Sequence, residues 1–126
     1  MLQYVIGDVL NDSPDLKRKI IVQVVNDIGV MGSGVAKAIM DKYPIVHTEY
    51  TKWKKLEYCM IGKQQIPFKL GQIQVIPVEK YVYVINMIAQ HQTIRENEKP
   101  IRYSALCKCM EKVAVVCNKI AVKSQS

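Results

Sequence analysis

The segment Asn26-Asp27-Ile28-Gly29-Val30-Met31-Gly32-Ser33-Gly34 gathers the residue types in this chain best suited to chemistry. Its glycines allow positive φ and let the backbone approach a ligand closely. The N–H groups of such a loop, with the N-terminus of a helix starting at Val35, would cradle a diphosphate. The spacing G-x-x-G-x-G is neither the dinucleotide fingerprint G-x-G-x-x-G nor a P-loop ending in G-K-[ST], so a tight turn without a ligand stands as the alternative. An amide at Asn26 can bind a ribose hydroxyl, and a carboxylate at Asp27 can do the same or activate water. Both are equally turn formers and helix caps.

Several elements must hold that loop. The run Lys19-Ile20-Ile21-Val22-Gln23-Val24-Val25 leads into it and reads as a strand buried on both faces. Before it, Val5-Ile6 ends a short first strand, Gly7-Asp8 turns out of it, and 11–15 form a loop. After it, Val35 to Tyr43 is expected as a helix stopped by Pro44. A second helix follows from Ile45 to about Leu56, with Val46, Tyr50 and Trp53 on one face. Strands are expected at 71–78 and 81–88 around a tight Glu79-Lys80 turn, then a polar loop at 89–99. Pro100 suits the first turn of a last helix, whose buried stripe is expected to be Leu106, Met110, Val113, Cys117 and Ile120. Strands interleaved with helices imply an α/β three-layer domain, with ligands bound where loops leave the carboxyl ends of central strands.

Composition narrows the function classes. The 126 residues are 49% apolar and 23% charged, which excludes a disordered chain and suits one domain over 1–126. No apolar run approaches the ~20 residues of a membrane-spanning helix, and the N-terminus lacks a basic n-region, so the expected compartment is the cytosol. Cys59, Cys107, Cys109 and Cys117 form no C-x-x-C pair. Cys107 and Cys109 would point to opposite faces of one helix, so reduced thiols are expected rather than a metal site. A net charge of +7 draws polyanions, either nucleic acid or phosphorylated small molecules. The lysines are scattered and the aromatic residues few, however, unlike a single-strand-binding groove.

The motifs resemble those of one family. Gly7-Asp8-Val9-Leu10 is similar to the G-D-[IV]-x signature of macro domains. Asn26-Asp27-Ile28-Gly29 with Gly32-Ser33-Gly34 resembles their first ligand loop. Phe68-x-Leu70-Gly71, then Asn86-Met87-Ile88-Ala89-Gln90, then Pro100-Ile101-Arg102-Tyr103 resemble the small stand-alone branch related to ADP-ribose 1″-phosphate phosphatases and terminal ADP-ribose glycohydrolases. The resemblance runs from residue 4 to about 120. It implies a three-layer α/β/α fold with a mixed sheet, ADP-ribose or its derivatives as ligand, and no cofactor or metal. An ADP-ribosylated protein or nucleic acid would be the partner.

By that resemblance, Asp8 with the Val9 and Leu10 backbone would take the adenine. Asn26 and Asp27 would face the terminal ribose as the catalytic pair. Gly29, Met31, Gly32, Ser33, Gly34 and Val35 would line the diphosphate, with Asn86 and Gln90 flanking the pocket floor. The plain alternatives are a turn-closing Asp8 and an Asn86 amide that ties two loops together. The implied reaction is metal-independent hydrolysis of a 1″-phosphate or an ADP-ribosyl adduct. A non-catalytic reader with the same pocket, and a basic nucleic-acid-binding domain whose glycine loop is only a turn, are the alternatives.

Two departures from the family stand out. Relatives often carry a histidine where this chain has Gln23, and the glycohydrolases' lysine is replaced around Ala89 and Gln90. That leaves position 23 without a proton to exchange. His91 is expected as a solvated loop residue. The chain also stops before the strand, second glycine-rich loop and helix with which the family continues. In the family that strand lies beside the one at 19–25. Without it the strand at 19–25 would expose an apolar edge, so the expectation is a domain incomplete at its C-terminus: either a truncated version of a longer protein, or a chain that fills the gap with a neighbouring copy or a shifted first strand.

Overall fold

The β-branched run before the glycine loop lies in the middle of the molecule. The computed structural model describes residues 3–10, 17–30, 35–91 and 102–125. In chain order its elements are β1 (Gln3–Leu10), β2 (Lys17–Asn26), α1 (Val35–Lys42), α2 (Pro44–Leu56), β3 (Tyr58–Ile61), β4 (Gln64–Pro67), β5 (Ile73–Glu79), β6 (Val82–Gln90) and α3 (Tyr103–Gln125). The main sheet has the order β1-β2-β6-β5, and β3 with β4 forms a separate hairpin. β2 and β6 are parallel, and β1 and β5 pair antiparallel on the two flanks. Helices α1 and α2 cover one face and α3 the other, giving the expected three layers with a mixed sheet.

Burial follows from strand periodicity. Ile20, Val22 and Val24 of β2 join Ile85, Met87 and Ala89 of β6 under α3. On the opposite face Ile21 packs with Ile39, Tyr43 and Val46, and Val25 with Tyr50 and Trp53. Trp53 donates its indole N–H to the Ile66 carbonyl at 3.0 Å and meets Phe68 edge-on at 5.1 Å, which fastens the β3–β4 hairpin under α2. That hairpin went unforeseen. Its turn is Gly62-Lys63, with Gly62 at φ 59 in the first turn position, where glycine is favoured.

Other expectations are corrected. Gly7 does not end the first strand: β1 continues to Leu10 through a register shift between Ile6 and Asp8. β1 lies directly against β2, so β2 has a partner on each side. Pro44 opens α2 rather than merely stopping α1, because its missing N–H costs nothing in a first turn. Ala89 and Gln90 belong to β6, not to a loop. The rest of the expected loop at 92–99 and Pro100 lie outside the described residues, as does the loop at 11–15.

On α3 the buried line is Ala105, Cys109, Val113, Val116 and Ile120, while Leu106 and Cys117 are half-buried and Met110 is exposed. The helix is rotated toward its small residues. Ala105 and Cys109 permit close approach to the sheet, where the Cys109 thiol lies 3.5 Å from the Gln72 carbonyl and 3.7 Å from that of Ile88.

A chain of amides crosses the α2 face of the sheet. Gln23 donates to Asn86 at 2.7 Å, Asn86 donates to Gln74 at 3.1 Å, and Gln74 donates to the Glu49 carbonyl of α2 at 2.9 Å. The three residues are in register on β2, β6 and β5. Gln23 and Asn86 are fully buried, and among the described residues no donor reaches Gln23 Oε1. Removing the middle amide strands two buried polar groups, each costing about 1–3 kcal/mol. Asn86→Leu is expected to lower unfolding free energy by about 2–5 kcal/mol in urea titration, and a loss below about 1 kcal/mol would contradict this account.

All four cysteines are free. Burial pushes the Cys59 thiol up to about 12, with Glu49 adding to the effect. Burial also lifts Cys109 to about 11 against the opposing pull of Lys112 and a backbone hydrogen bond from Gly71, and it raises Cys117 as well. Exposed Cys107 is therefore expected to be the fast thiol toward Ellman's reagent at pH 8, and Cys107→Ser should remove the fast phase. A thiol pKa raised in the folded state leaves stability untouched below the ordinary value. Above it the unfolded chain loses its protons first, so urea midpoints should fall as pH rises from about 9 to 12.

Candidate functional site

The parallel pair β2–β6 brings two carboxyl ends together. Val25 pairs with Ile88 but Asn26 pairs with Gln90, so Ala89 is an extra residue on β6. This bulge re-aims the strand end, as bulges do beside sites. Its carbonyl accepts the Arg102 N–H at 2.7 Å, which ties the start of α3 to the same end of the sheet. The Asp27 N–H reaches the Gln90 carbonyl at 3.1 Å, and His91 Nδ1 donates to Asp27 Oδ2 at 2.7 Å. An ionised carboxylate can only accept, so the proton of that bond sits on Nδ1. The imidazole is 42% exposed and the carboxylate 18%. His91 is thus a solvent-accessible loop residue, as expected, that also has Asp27 as its partner. Its signal in the sequence was position, directly after a strand that runs parallel to the one ending at Asn26.

Asn26 does different work from that expected. It is 2% exposed, and its Oδ1 accepts from the N–H of Ile28 at 3.2 Å and of Val30 at 3.1 Å. Its Nδ2 donates back to the Val30 carbonyl. The Tyr50 hydroxyl of α2 lies 2.8 Å from the same Oδ1 and 2.7 Å from the Asn26 carbonyl. Burial raises the Tyr50 pKa far above its ordinary value, so the hydroxyl remains a donor there. The Asn26 amide folds the loop upon itself, which is the turn-forming alternative.

Gly29 sits at φ 76, and a Cβ on it would lie 2.6 Å from Lys54 Cγ. The Lys54 stem therefore lies along the loop backbone, with its ammonium 5.9 Å from the centre of the Phe68 ring. Lys54, one of the scattered lysines of the sequence, adds positive charge to this end of the sheet.

Other expected site residues fall elsewhere. Asn86 is fully buried in the amide chain, bonded to Gln23 and Gln74. Gln90 is 5% exposed and does stand at the carboxyl end, opposite Asn26. Asp8, Val9 and Leu10 pair with Lys19, Arg18 and Lys17, at the start of β2. Because β1 runs antiparallel to β2, this is the wrong end of the sheet: eight residues of strand, about 26 Å, separate the level of Asp8 from Asp27. The expected adenine contact does not join this site. Met31, Gly32, Ser33 and Gly34 lie outside the described residues, and Val35 begins α1.

Gly71 of the Phe68–Gly71 motif makes a junction. At φ 89 its N–H bonds the Ile88 carbonyl at 2.8 Å and its carbonyl accepts Lys112 Nζ at 2.8 Å, joining β6 to α3. A cleft of about 470 Å³ lies between α2, β3 and β5, and none of Asn26, Asp27, Gln90 and His91 lines it. Among the described residues no three His, Cys, Asp or Glu side chains are grouped to hold a metal ion, and no helix is long and apolar enough to cross a membrane.

The arrangement is that of a three-layer α/β/α protein with a polar loop at the carboxyl ends of a central parallel pair. No protein-family model and no curated protein matches the chain. Solved structures do. A protein of unknown function from Bacteroides thetaiotaomicron is 33% identical with a TM-score of 0.65, over 77% of this chain and 57% of its own. A macrodomain protein from Streptomyces coelicolor is 32% identical with a TM-score of 0.65, over 79% and 60%. The macrodomain of Thermus aquaticus DarG, at 22% identity and a TM-score of 0.58, shares the fold over 80% and 60%. The chain has the fold of these macrodomains, and it spans less than two thirds of the length of these structures.

Positive φ and a blocked Cβ position make Gly29 a sensitive test of the loop. Gly29→Ala is expected to cost about 1–3 kcal/mol in urea titration. Adding Lys54→Ala should recover part of that loss, by removing the collision but not the backbone strain.

Proposed function

We propose that this macro domain binds ADP-ribose or its derivatives at the carboxyl ends of β2 and β6 and hydrolyses a 1″-phosphate or ADP-ribosyl adduct at the terminal ribose. The observation carrying this reading is the loop Asn26–Val30, closed by the Asn26 amide and anchored by Tyr50, beside the Asp27–His91 pair. A loop pre-set in this way loses little freedom on binding, and its polar rim suits a ribose and its departing oxygen. Lys54 and the net charge of +7 favour a ligand carrying a diphosphate. An ADP-ribosylated protein or nucleic acid would present the adduct.

A non-catalytic reader is the second reading, favoured by one observation. Gln23, where relatives often hold a histidine, is fully buried and donates to Asn86, so position 23 supplies no acid or base.

Calorimetric titration with ADP-ribose, using AMP and ribose 5-phosphate as controls, tests recognition. Micromolar binding selective for ADP-ribose is expected, and a folded chain that ignores all three would refute the assignment. Because Asp8 stands at the far end of β2, Asp8→Ala should leave that affinity within about twofold, as for a change remote from a site. Asp27→Ala should retain binding and lose about 100-fold or more in turnover. Binding without turnover in the parent chain would instead support the reader.

A further inference from the structure

We infer that His91 Nε2 takes the proton in this site, and that Asp27 is a positioning carboxylate rather than the base. The inference rests on the hydrolytic reading above and divides its labour between two residues. Asp27 Oδ2 already accepts from His91 Nδ1 at 2.7 Å, the length of a charge-assisted bond. That bond holds the neutral ring with its hydrogen on Nδ1, so the basic lone pair is on Nε2, across the ring from Asp27. Exposure agrees: the ring is 42% exposed and the carboxylate 18%, so the imidazole is the member that meets an incoming water. The pair is set by the backbone. The bulge at Ala89 brings Gln90 opposite Asn26, and the Asp27 N–H bond to the Gln90 carbonyl fixes the two residues side by side. It also places a titratable group at this strand end although position 23 holds only a buried amide.

The step balances without a further reactant. A water O–H gives its proton to Nε2 while its oxygen bonds to the anomeric carbon of the terminal ribose. The bond from that carbon to the departing oxygen breaks. Phosphate or carboxylate leaves as an anion with the electron pair. The imidazolium, stabilised by Asp27, then loses its proton to solvent.

The test uses the chain with ADP-ribose 1″-phosphate and an ADP-ribosylated peptide ester as substrates, ADP-ribose calorimetry, and ¹⁵N imidazole spectra. His91→Gln is expected to hold ADP-ribose affinity and KM within about threefold while kcat falls about 100-fold or more. Free imidazole should restore part of the turnover of His91→Ala. The spectra should show the Nδ1–H form in the parent and its loss in Asp27→Asn, a change that a merely structural Asp27 would not produce. If His91→Gln keeps kcat within about threefold while Asp27→Asn loses it, Asp27 is the base and the inference is overturned with hydrolysis intact. If the parent binds ADP-ribose but turns over neither substrate, the hydrolytic reading falls and this inference with it. If it does not bind ADP-ribose, recognition itself has failed.

Discussion

The parallel pairing of β2 with β6 is the constraint on which the rest of this structure depends. Both strands are buried on both faces, so neither can slip by one residue without turning its apolar side chains out of the two cores. Fixed register means fixed ends. Only because Ala89 is an extra residue does Gln90 face Asn26, and only then does His91 stand beside Asp27. In a regular ladder Asn26 would face Ala89 and the two chemical residues would be offset by one position. The bulged carbonyl is not left bare, since the first N–H before α3 bonds it.

Helix α2 acts as the pillar of the loop. Its buried face carries Val46, Tyr50 and Trp53 into the sheet, and the same burial that stabilises Tyr50 aims its hydroxyl at Asn26. Packing and site geometry are therefore coupled through one side chain. A buried asparagine with several hydrogen bonds is costly to disturb. Asn26 thus contributes rigidity to the loop.

The amide chain from Gln23 through Asn86 and Gln74 to α2 is the other polar feature inside the sheet. It lies between two apolar clusters, where each amide must be matched or pay its desolvation in full. The chain specifies which residues of β2, β6 and β5 stand level, reinforcing the register that sets the site. On the far flank β1 covers β2 and leaves it no open edge. In doing so it carries Asp8 to the end of the sheet opposite Asp27.

Much of this was legible in the residues. The unbroken β-branched run at 19–25 required a strand covered on both faces, Pro44 required a helix boundary, and the spacing of Val46, Tyr50 and Trp53 gave the buried side of α2. The glycine loop announced itself by composition, and the order of motifs announced the family. These are local properties, written in residue type and short-range period. What the sequence could not decide were matters of distance and direction in three dimensions. Whether α3 turns Met110 or Cys109 inward depends on how closely a helix can approach a sheet. Whether Asn26 faces a ligand or its own loop depends on Tyr50, 24 residues away. The company His91 keeps depends on a one-residue bulge, and the end of the sheet that Asp8 reaches depends on which strand β1 pairs with. A backbone hydrogen-bonding edge accepts a parallel or an antiparallel neighbour, so strand direction and register are settled by packing across the whole sheet and not by any one segment.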